Sequence, residues 1–170
     1  MRYFLIGFMG SGKSTLGYRL AKYLNIDFFD LDKYIKQTTQ KSIQTIFETE
    51  GEQTFRKYET KYLKQIISLS DNAVISTGGG TPCFNDNLKV MQNNGIVIYL
   101  KHNPKTLAKR IFLSKTIRPL VHNMQEDELV IWISEKLKER EPTYQQANLI
   151  IEAQNITANK LAGYLKHFEY

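Results

Sequence analysis

The segment Gly7-Phe8-Met9-Gly10-Ser11-Gly12-Lys13-Ser14 holds the residues best suited to chemistry in this 170-residue sequence. It matches the pattern G-x-x-x-x-G-K-[ST] in full, between a short apolar run and a helix-like run. Glycines let successive backbone N–H groups face phosphate oxygens, and the positive end of the following helix adds to the attraction. Lys13 would then reach the β- and γ-phosphates, and Ser14 would bind Mg²⁺. The segment predicts a nucleoside triphosphate site.

A pair of acidic residues follows the apolar dipeptide Phe28-Phe29, in the run Asp30-Leu31-Asp32. Carboxylates two residues apart at a strand end can both face a crevice once the chain turns into a helix. One could support Mg²⁺ through its water shell, and the other could hold and deprotonate an acceptor hydroxyl. The alternative is that one of them caps the following helix, and this alternative weighs more for Asp30 than for Asp32.

Arg56 and Glu59 are three residues apart in a helix-like segment, a spacing that allows them to pair. The spacing alone is equally consistent with a surface salt bridge. An arginine held by a glutamate can instead be a preorganised fork for a substrate carboxylate. Phe47 and Phe55 could line the same pocket or belong to the ordinary core.

Three consecutive glycines, Gly78, Gly79 and Gly80, follow a strand-like run. Without Cβ atoms, this segment lets a ligand approach the backbone and its N–H groups closely. A functional role is favoured over a plain loop, because three glycines after a buried strand are unfavourable in conformational entropy. Arg118 and Arg140, taken singly, are more often exposed surface arginines.

These residues must be positioned by short apolar runs that alternate with longer amphipathic ones. Strands are predicted at residues 3–6, 28–30, 73–76, 95–100 and 149–151. Helices are predicted at residues 13–24, 31–70 with breaks near Thr39 and Gly51, 85–93, 104 onwards, 126–146 with a break or end at Pro142, and 157–168. Alternating strands and helices predict an α/β fold with a parallel sheet covered on both faces. The glycine loop, Asp30 and the triple glycine all follow strands, so we expect them to meet at one crevice.

Length and composition predict a single domain with a real core, since 42% of the residues are hydrophobic and 24% are charged. The formal charge of +6 suits anionic small molecules better than nucleic acid, because no long Lys/Arg block is present. The single cysteine, Cys83, cannot form an internal disulfide, as expected in a reducing cytoplasm. The apolar run 3–6 is too short for a membrane span.

Together these motifs resemble the shikimate kinase family, over essentially the whole chain. The resemblance depends on Gly7 to Ser14, Asp30-Leu31-Asp32, Gly51 to Glu59, Gly78 to Gly80, Arg118-Pro119-Leu120 and Arg140 to Tyr144. It implies a three-layer P-loop fold with a five-stranded parallel sheet in the order 2-3-1-4-5. It also implies one domain, residues 1–170, with a substrate-binding segment at about 31–62 and a lid at about 112–124.

The resemblance further implies transfer of the γ-phosphate of ATP, with Mg²⁺, to the 3-hydroxyl of shikimate. Three residues would be catalytic: Lys13, Asp32 and Arg118. The nucleotide would be bound by Gly10, Ser11, Gly12, Lys13, Ser14, Thr15, Arg110 and Arg118. Shikimate would be bound by Asp32, Phe47, Phe55, Arg56, Gly78, Gly79, Gly80 and Arg140. The metal would bind Ser14 directly, and Asp30, with Ser76, through water.

Two alternatives remain open at this point. Another small-molecule kinase of the same fold, acting on gluconate or a nucleotide, would share the phosphate loop, although two arginines and Asp32 favour a carboxylate-bearing alcohol. A nucleotide-dependent regulator of nucleic acid would show strongly salt-dependent polynucleotide binding. We expect a cytoplasmic monomer that binds neither nucleic acid nor membrane. The chain departs from the family pattern at Thr143 and at Thr81-Pro82-Cys83, which we do not expect to touch the assigned residues.

Overall fold

Five short apolar segments form one parallel sheet in the computed structural model, which describes residues 1–114, 121 and 124–168. The strands are β1 (Arg2–Ile6), β2 (Asp27–Asp30), β3 (Ala73–Ser76), β4 (Ile96–Lys101) and β5 (Leu149–Glu152). All pairings are parallel, and the order is β2-β3-β1-β4-β5. The predicted fold class and strand order are therefore confirmed.

Helices connect the strands and cover both faces of the sheet. They are α1 (Lys13–Leu24), α2 (Leu31–Thr39), α3 (Ile43–Leu69), α4 (Asn87–Gln92), α5 (Pro104–Phe112), α6 (Glu126–Tyr144) and α7 (Ala158–Leu165). Short 3-10 helices lie at Thr81–Cys83, Ala153–Asn155 and Lys166–Phe168. Several helices begin at a capping side chain, as α5 does at Asn103, whose Oδ1 accepts from the Thr106 N–H at 2.8 Å.

The core is divided by the sheet because successive strand residues point to opposite faces. On one face, Phe4, Ile6 and Tyr99 pack with residues of α2, α3, α5 and α6. On the other face, Leu5 and Ile98 pack with residues of α1 and α7. The result is the expected three-layer arrangement.

The carboxyl ends of the strands meet at one edge, and the register fixes which segments meet there. Leu5 pairs with Ser76, and Asp30 also pairs with Ser76. Ile6 pairs with Tyr99. The phosphate loop, the acidic pair, the triple glycine and the residues after β4 therefore leave the sheet side by side.

Local backbone conformation explains where the predicted helices break. The chain leaves α2 at Gln40, with φ of +55°, and α3 is kinked at Gly51, with φ of +82°. The helix predicted to begin at residue 85 is wrong at its start, since Asn85 and Asp86 have φ of +52° and +56° and α4 begins at Asn87. Pro142 lies inside α6, which ends two residues later.

Most of the lid expected at about 112–124, including Arg118, lies outside the described residues. Within the described ranges, no helix is both long enough and apolar enough to cross a membrane.

Candidate active site

The phosphate loop leads directly from β1 into α1. Gly10 and Gly12 have φ of +79° and +89°, a left-handed conformation that residues with a side chain rarely adopt. Gly12 is the N-cap of α1, and its carbonyl accepts from the Leu16 N–H at 2.9 Å. The loop therefore has the backbone shape and the adjoining helix N-terminus of an anion site.

Lys13 is only 8% exposed and lies over its own loop. Its Nζ donates to the carbonyl oxygens of Gly7 at 2.8 Å and Phe8 at 2.9 Å, and to Ser11 Oγ at 3.3 Å. Ser14 Oγ lies 3.3 Å from Ser76 Oγ at the end of β3. The ammonium and the two hydroxyls are thus held at the mouth of the loop.

A cavity of about 450 Å³ opens above the loop. It is lined by Met9, Gly10, Gly12, Lys13, Ser14, Thr15, Asp30, Asp32, Ser76, Thr77, Gly79 and Arg110. A neighbouring cavity of about 350 Å³ shares Gly10, Gly12, Thr15 and Arg110 with it and extends to Ala153, Gln154 and Ile156. A larger groove, of about 720 Å³, lies between α1, β2 and α2 and is lined by none of the loop glycines. The two smaller cavities together have the position required for a nucleotide.

Asp30 caps α2, since its Oδ1 accepts from the Lys33 N–H at 3.1 Å. Capping, which the sequence left open, occupies one oxygen of this carboxylate. No group of three His, Cys, Asp or Glu side chains in the described ranges could hold a metal ion by itself. The nearby oxygens nonetheless fit Mg²⁺, because Mg²⁺ that is bound together with a nucleotide is held by one or two protein oxygens, phosphates and water. Ser14, Ser76 and Asp30 have oxygens that could fill this role.

Asp32 lies in the first turn of α2, where solvent in the open crevice still reaches its side chain. Desolvation by the surrounding protein, with repulsion from Glu59 and Asp30, raises the pKa of Asp32 from 3.8 to about 6. Lys13 and Arg56 oppose this shift. A carboxylate with a pKa close to neutral is suited to exchange a proton with a substrate hydroxyl.

Arg56 is held by two glutamates of α3. Its Nη1 donates to Glu59 Oε2 at 2.5 Å, while its Nε and Nη2 donate to Glu52 Oε1 at 3.2 and 2.9 Å. The ring of Phe84 lies against the guanidinium, 4.2 Å from Cζ to the ring centroid. A guanidinium has five N–H groups and these bonds use three, so one N–H on Nη1 and one on Nη2 are left over. Such a pair can bind a carboxylate in a bidentate manner.

The side chain of Glu59 is buried, at 0% exposed, and it interacts with residues from several parts of the site. Besides Arg56, it accepts a hydrogen bond from Thr81 Oγ1 at 2.5 Å. Burial raises the pKa of Glu59, while Arg56, Thr81 and Arg140 oppose the shift. The positive charges of both predicted carboxylate-binding arginines, Arg56 and Arg140, therefore favour the ionised form of the same buried carboxylate. The expectation that Thr81 touches no assigned residue is wrong, because its N–H also donates to the Gly78 carbonyl at 3.2 Å.

The triple glycine packs closely against Glu59, Arg56 and the phosphate loop. A Cβ on Gly78 would lie 2.8 Å from Glu59 Oε1, and one on Gly80 would lie 2.7 Å from Arg56 Nη1. A Cβ on Gly79 would lie 3.4 Å from the Met9 nitrogen and 3.6 Å from Arg140 Nη1. This segment thus packs against the phosphate loop and both arginines, and its glycines are required by close contacts within the protein; the approach of a ligand to its backbone stays a prediction.

The remaining predicted residues are distributed around this centre. Arg140 extends over the Phe8 ring, with 5.5 Å from Cζ to the centroid. Phe55 is buried in the core and contacts Phe47, with ring centroids 4.8 Å apart, so their place in the pocket wall stays a prediction. Arg110 lies over the phosphate loop, its Nη1 3.5 Å from the carbonyl oxygens of Gly10 and Ser11.

His102 is a residue of this site that the sequence reasoning missed. It is 6% exposed, and its Nε2 lies 3.1 Å from the Ser11 carbonyl oxygen and 3.2 Å from Arg110 Nη1. Burial and the charge of Arg110 lower the pKa of His102. The pairing of β1 with β4 places residues after Leu100 beside the loop after Ile6, which is the signal that could have identified it.

Comparisons with known proteins identify the family of this chain. A family model described as shikimate kinase matches residues 9–168. The shikimate kinase of Azobacteroides pseudotrichonymphae is 42% identical over 160 residues, which are 94% of either chain. The crystal structure of shikimate kinase from Bacteroides thetaiotaomicron has a TM-score of 0.92 at 36% identity, covering 100% of this chain and 99% of that one. The shikimate kinase from Acinetobacter baumannii in complex with shikimate has a TM-score of 0.84 at 34% identity, covering 98% and 91%. The chain therefore belongs to the shikimate kinase family.

Proposed function

We propose that this chain transfers the γ-phosphate of ATP to the 3-hydroxyl of shikimate, giving shikimate 3-phosphate and ADP, in chorismate and aromatic amino acid biosynthesis. The observation that carries the proposal is that the triple glycine packs against both halves of the site: Gly79 lies close to the phosphate loop and to Arg140, while Gly78 lies close to Glu59 and Gly80 close to Arg56. A donor phosphate and a carboxylate-bearing acceptor would therefore meet in one crevice. The related enzyme from Acinetobacter baumannii is seen in complex with shikimate.

The acceptor is held at its two ends in this proposal. The free N–H pair of Arg56 and the guanidinium of Arg140 bind the shikimate carboxylate, with Phe47 and Phe55 as the apolar wall. Asp32 and the backbone of Gly78, Gly79 and Gly80 hold the ring hydroxyls. Because Glu59 already fixes Arg56, the fork loses little side-chain entropy when the carboxylate arrives.

The nucleotide lies with its phosphates on Gly10, Ser11, Gly12 and Thr15 and its base next to Arg110. Lys13 and Arg118 neutralise the charge of the transferring phosphoryl group. Ser14 would hold Mg²⁺ directly, Asp30 and Ser76 would hold it through water, and the metal would supply positive charge that neutralises the phosphates. Lys13 leaves its carbonyl partners in the loop to meet the phosphates.

Asp32 aligns the 3-hydroxyl with the γ-phosphate and accepts its proton. Phosphoryl transfer passes through a loose transition state, so alignment contributes much of the rate and proton transfer occurs late. A lid at about 112–124, which carries Arg118, excludes water from the crevice. We further propose that the protein acts as a cytoplasmic monomer and binds no nucleic acid.

A coupled assay with Mg²⁺ and ATP tests the proposal against its alternatives. The acceptors are shikimate, gluconate and nucleoside monophosphates, and Lys13→Ala is the control for contaminating kinases. We expect turnover with shikimate that is absent with the other acceptors and lost in the variant. A preference for gluconate or a nucleotide, or salt-dependent binding of a polynucleotide without shikimate turnover, would refute it.

A further inference from the structure

Tyr144, at the last position of α6, is a buried residue of the site to which the activity proposed above assigns no role. It is 0% exposed, and its hydroxyl donates to the Gly79 carbonyl oxygen at 2.5 Å. Its ring packs against Tyr99, with centroids 5.0 Å apart. A buried tyrosine needs a partner for its hydroxyl, and here the partner is the middle residue of the triple glycine.

Gly79 lies close to residues of both halves of the site. The Cβ position of Gly79 is 3.4 Å from the Met9 nitrogen and 3.5 Å from the Gly7 carbonyl oxygen, both in the phosphate loop. The same position is 3.6 Å from Arg140 Nη1, in the predicted acceptor site. A shift of Gly79 would therefore change the separation between the donor and acceptor sites.

Arg140 and Tyr144 lie four residues apart on α6, so they face the same side of the helix. Burial raises the pKa of Tyr144 above its usual value, with the nearby charge of Arg140 opposing the shift, so the hydroxyl keeps its proton and donates to Gly79.

We propose that Tyr144 is a positioning residue, whose hydroxyl fixes the triple glycine to the helix that carries Arg140 and so sets the acceptor at the correct distance from the phosphate loop. This inference depends on the proposed function, because it assigns Arg140 and Gly79 to acceptor binding. A shift of about 1 Å in a reacting group can lower a rate by about 100-fold, so one hydrogen bond at this point can matter for turnover.

Tyr144→Phe removes the hydroxyl and keeps the ring. We expect kcat/KM for shikimate to fall about 10- to 100-fold, while the KM for ATP changes less than about threefold. A loosely held acceptor also lets water compete for the γ-phosphate. ADP should then exceed shikimate 3-phosphate in the variant, whereas the wild-type protein forms the two in equal amounts.

The matched control is Tyr99→Phe, which removes a hydroxyl from the same ring pair but leaves the bond to Gly79 intact. It should keep kcat/KM and the product ratio within about twofold of wild type. A second pair of variants places 4-fluorophenylalanine or 4-aminophenylalanine at position 144. The first has no donor and should behave like Tyr144→Phe, and the second keeps an N–H donor and should recover most of the activity.

Kinetics are measured at a temperature at which circular dichroism shows each variant to be folded. The inference is overturned if a folded variant without the donor forms product as wild type does, with ADP and shikimate 3-phosphate in equal amounts. It is also overturned if Tyr99→Phe shows the same defect, or if 4-aminophenylalanine gives no recovery. Failure of the proposed function is a separate result, since wild-type protein would then not phosphorylate shikimate at all.

Discussion

Replacing Asp32 by Asn should change activity and stability in opposite directions. The raised pKa of Asp32 means that the folded protein without ligands disfavours its charged form. In the proposed function, the same charged form accepts a hydrogen bond, and then a proton, from the acceptor hydroxyl. One substitution would thus remove a group that the proposed function needs and relieve an unfavourable charge.

The effect on stability depends on pH, with a definite sign. The folded-state pKa of about 6 lies above the unfolded value of 3.8, so the favourable contribution is complete below pH 3.8 and is lost as the pH rises through about 6. At about 1.36 kcal/mol for each pKa unit, the full shift corresponds to about 3 kcal/mol. Solvent reaches this side chain, and screening reduces the figure to about 1 kcal/mol. Asp32→Asn should therefore stabilise the free protein by about 1 kcal/mol at neutral pH and have little effect near pH 4.

The effect on activity follows from the same ionisation. In the wild-type protein, kcat/KM for shikimate should fall about tenfold for each pH unit below the pKa of Asp32, and we call this fall the acid limb of the pH profile. This pKa should be about 6 or lower, because bound Mg²⁺ adds positive charge nearby. Asp32→Asn should lower turnover by about 100- to 10,000-fold and abolish this acid limb. Asp30→Asn is the matched control: it removes a charge that raises the pKa of Asp32, so the limb should persist and move to lower pH.

The assays are urea unfolding without nucleotide or metal at several pH values, and pH profiles of kcat/KM. Three results would refute the reasoning. The Asn variant could keep more than half of the turnover, which would make Asp32 structural. It could be less stable than wild type at neutral pH, or it could keep the acid limb, which would then belong to another group.

Four further predictions concern the phosphate loop, the arginines and His102. Lys13→Ala should leave the protein folded and lower kcat about 100- to 1000-fold, and a folded variant with normal turnover would contradict the phosphate-loop assignment. Arg56→Lys and Arg140→Lys should each raise the KM for shikimate about 10-fold or more with little change for ATP, because a charge-assisted hydrogen bond contributes about 1.5–3 kcal/mol; steady-state kinetics decide this. Arg118→Ala should reduce kcat more than shikimate affinity, which separate kinetic and binding measurements can distinguish. Because burial and Arg110 lower the pKa of His102 from 6.5, stability should fall as the pH drops below 6.5, and His102→Gln should lack this part of the pH dependence in thermal unfolding.

The parts of the site that depend on local sequence were predictable. The phosphate loop is a strand, a glycine-rich turn and a helix within about twenty residues, and its pattern specifies all three. The pairing of Arg56 with Glu59 follows from helical spacing. The strand order came from the resemblance to a known family, because the motifs alone indicate only a parallel sheet.

The parts that depend on tertiary packing were not predictable from the sequence. The bond from Thr81 to Glu59 spans 22 positions, and that from Tyr144 to Gly79 spans 65. The helix expected to begin at residue 85 begins two residues later, because Asn85 and Asp86 adopt left-handed conformations. Asn85 Nδ2 donates to the Arg56 carbonyl and to Thr60 Oγ1, and such distant partners leave no local pattern.

The buried carboxylate of Glu59 explains how a site with two converging arginines can exist before the substrate arrives. Two guanidiniums at one pocket repel each other unless an anion lies near both. Glu59 accepts a hydrogen bond from Arg56, and the charges of Arg56 and Arg140 both oppose the rise in its pKa that burial causes. The bonds of Arg56 to Glu59 and Glu52 use three of its five N–H groups, so one on Nη1 and one on Nη2 are left for a ligand. In the proposed function, a substrate carboxylate binds these groups without displacing either glutamate. Arg56 is then oriented before the substrate arrives, and the binding energy of the acceptor can be used to align its hydroxyl with the phosphate.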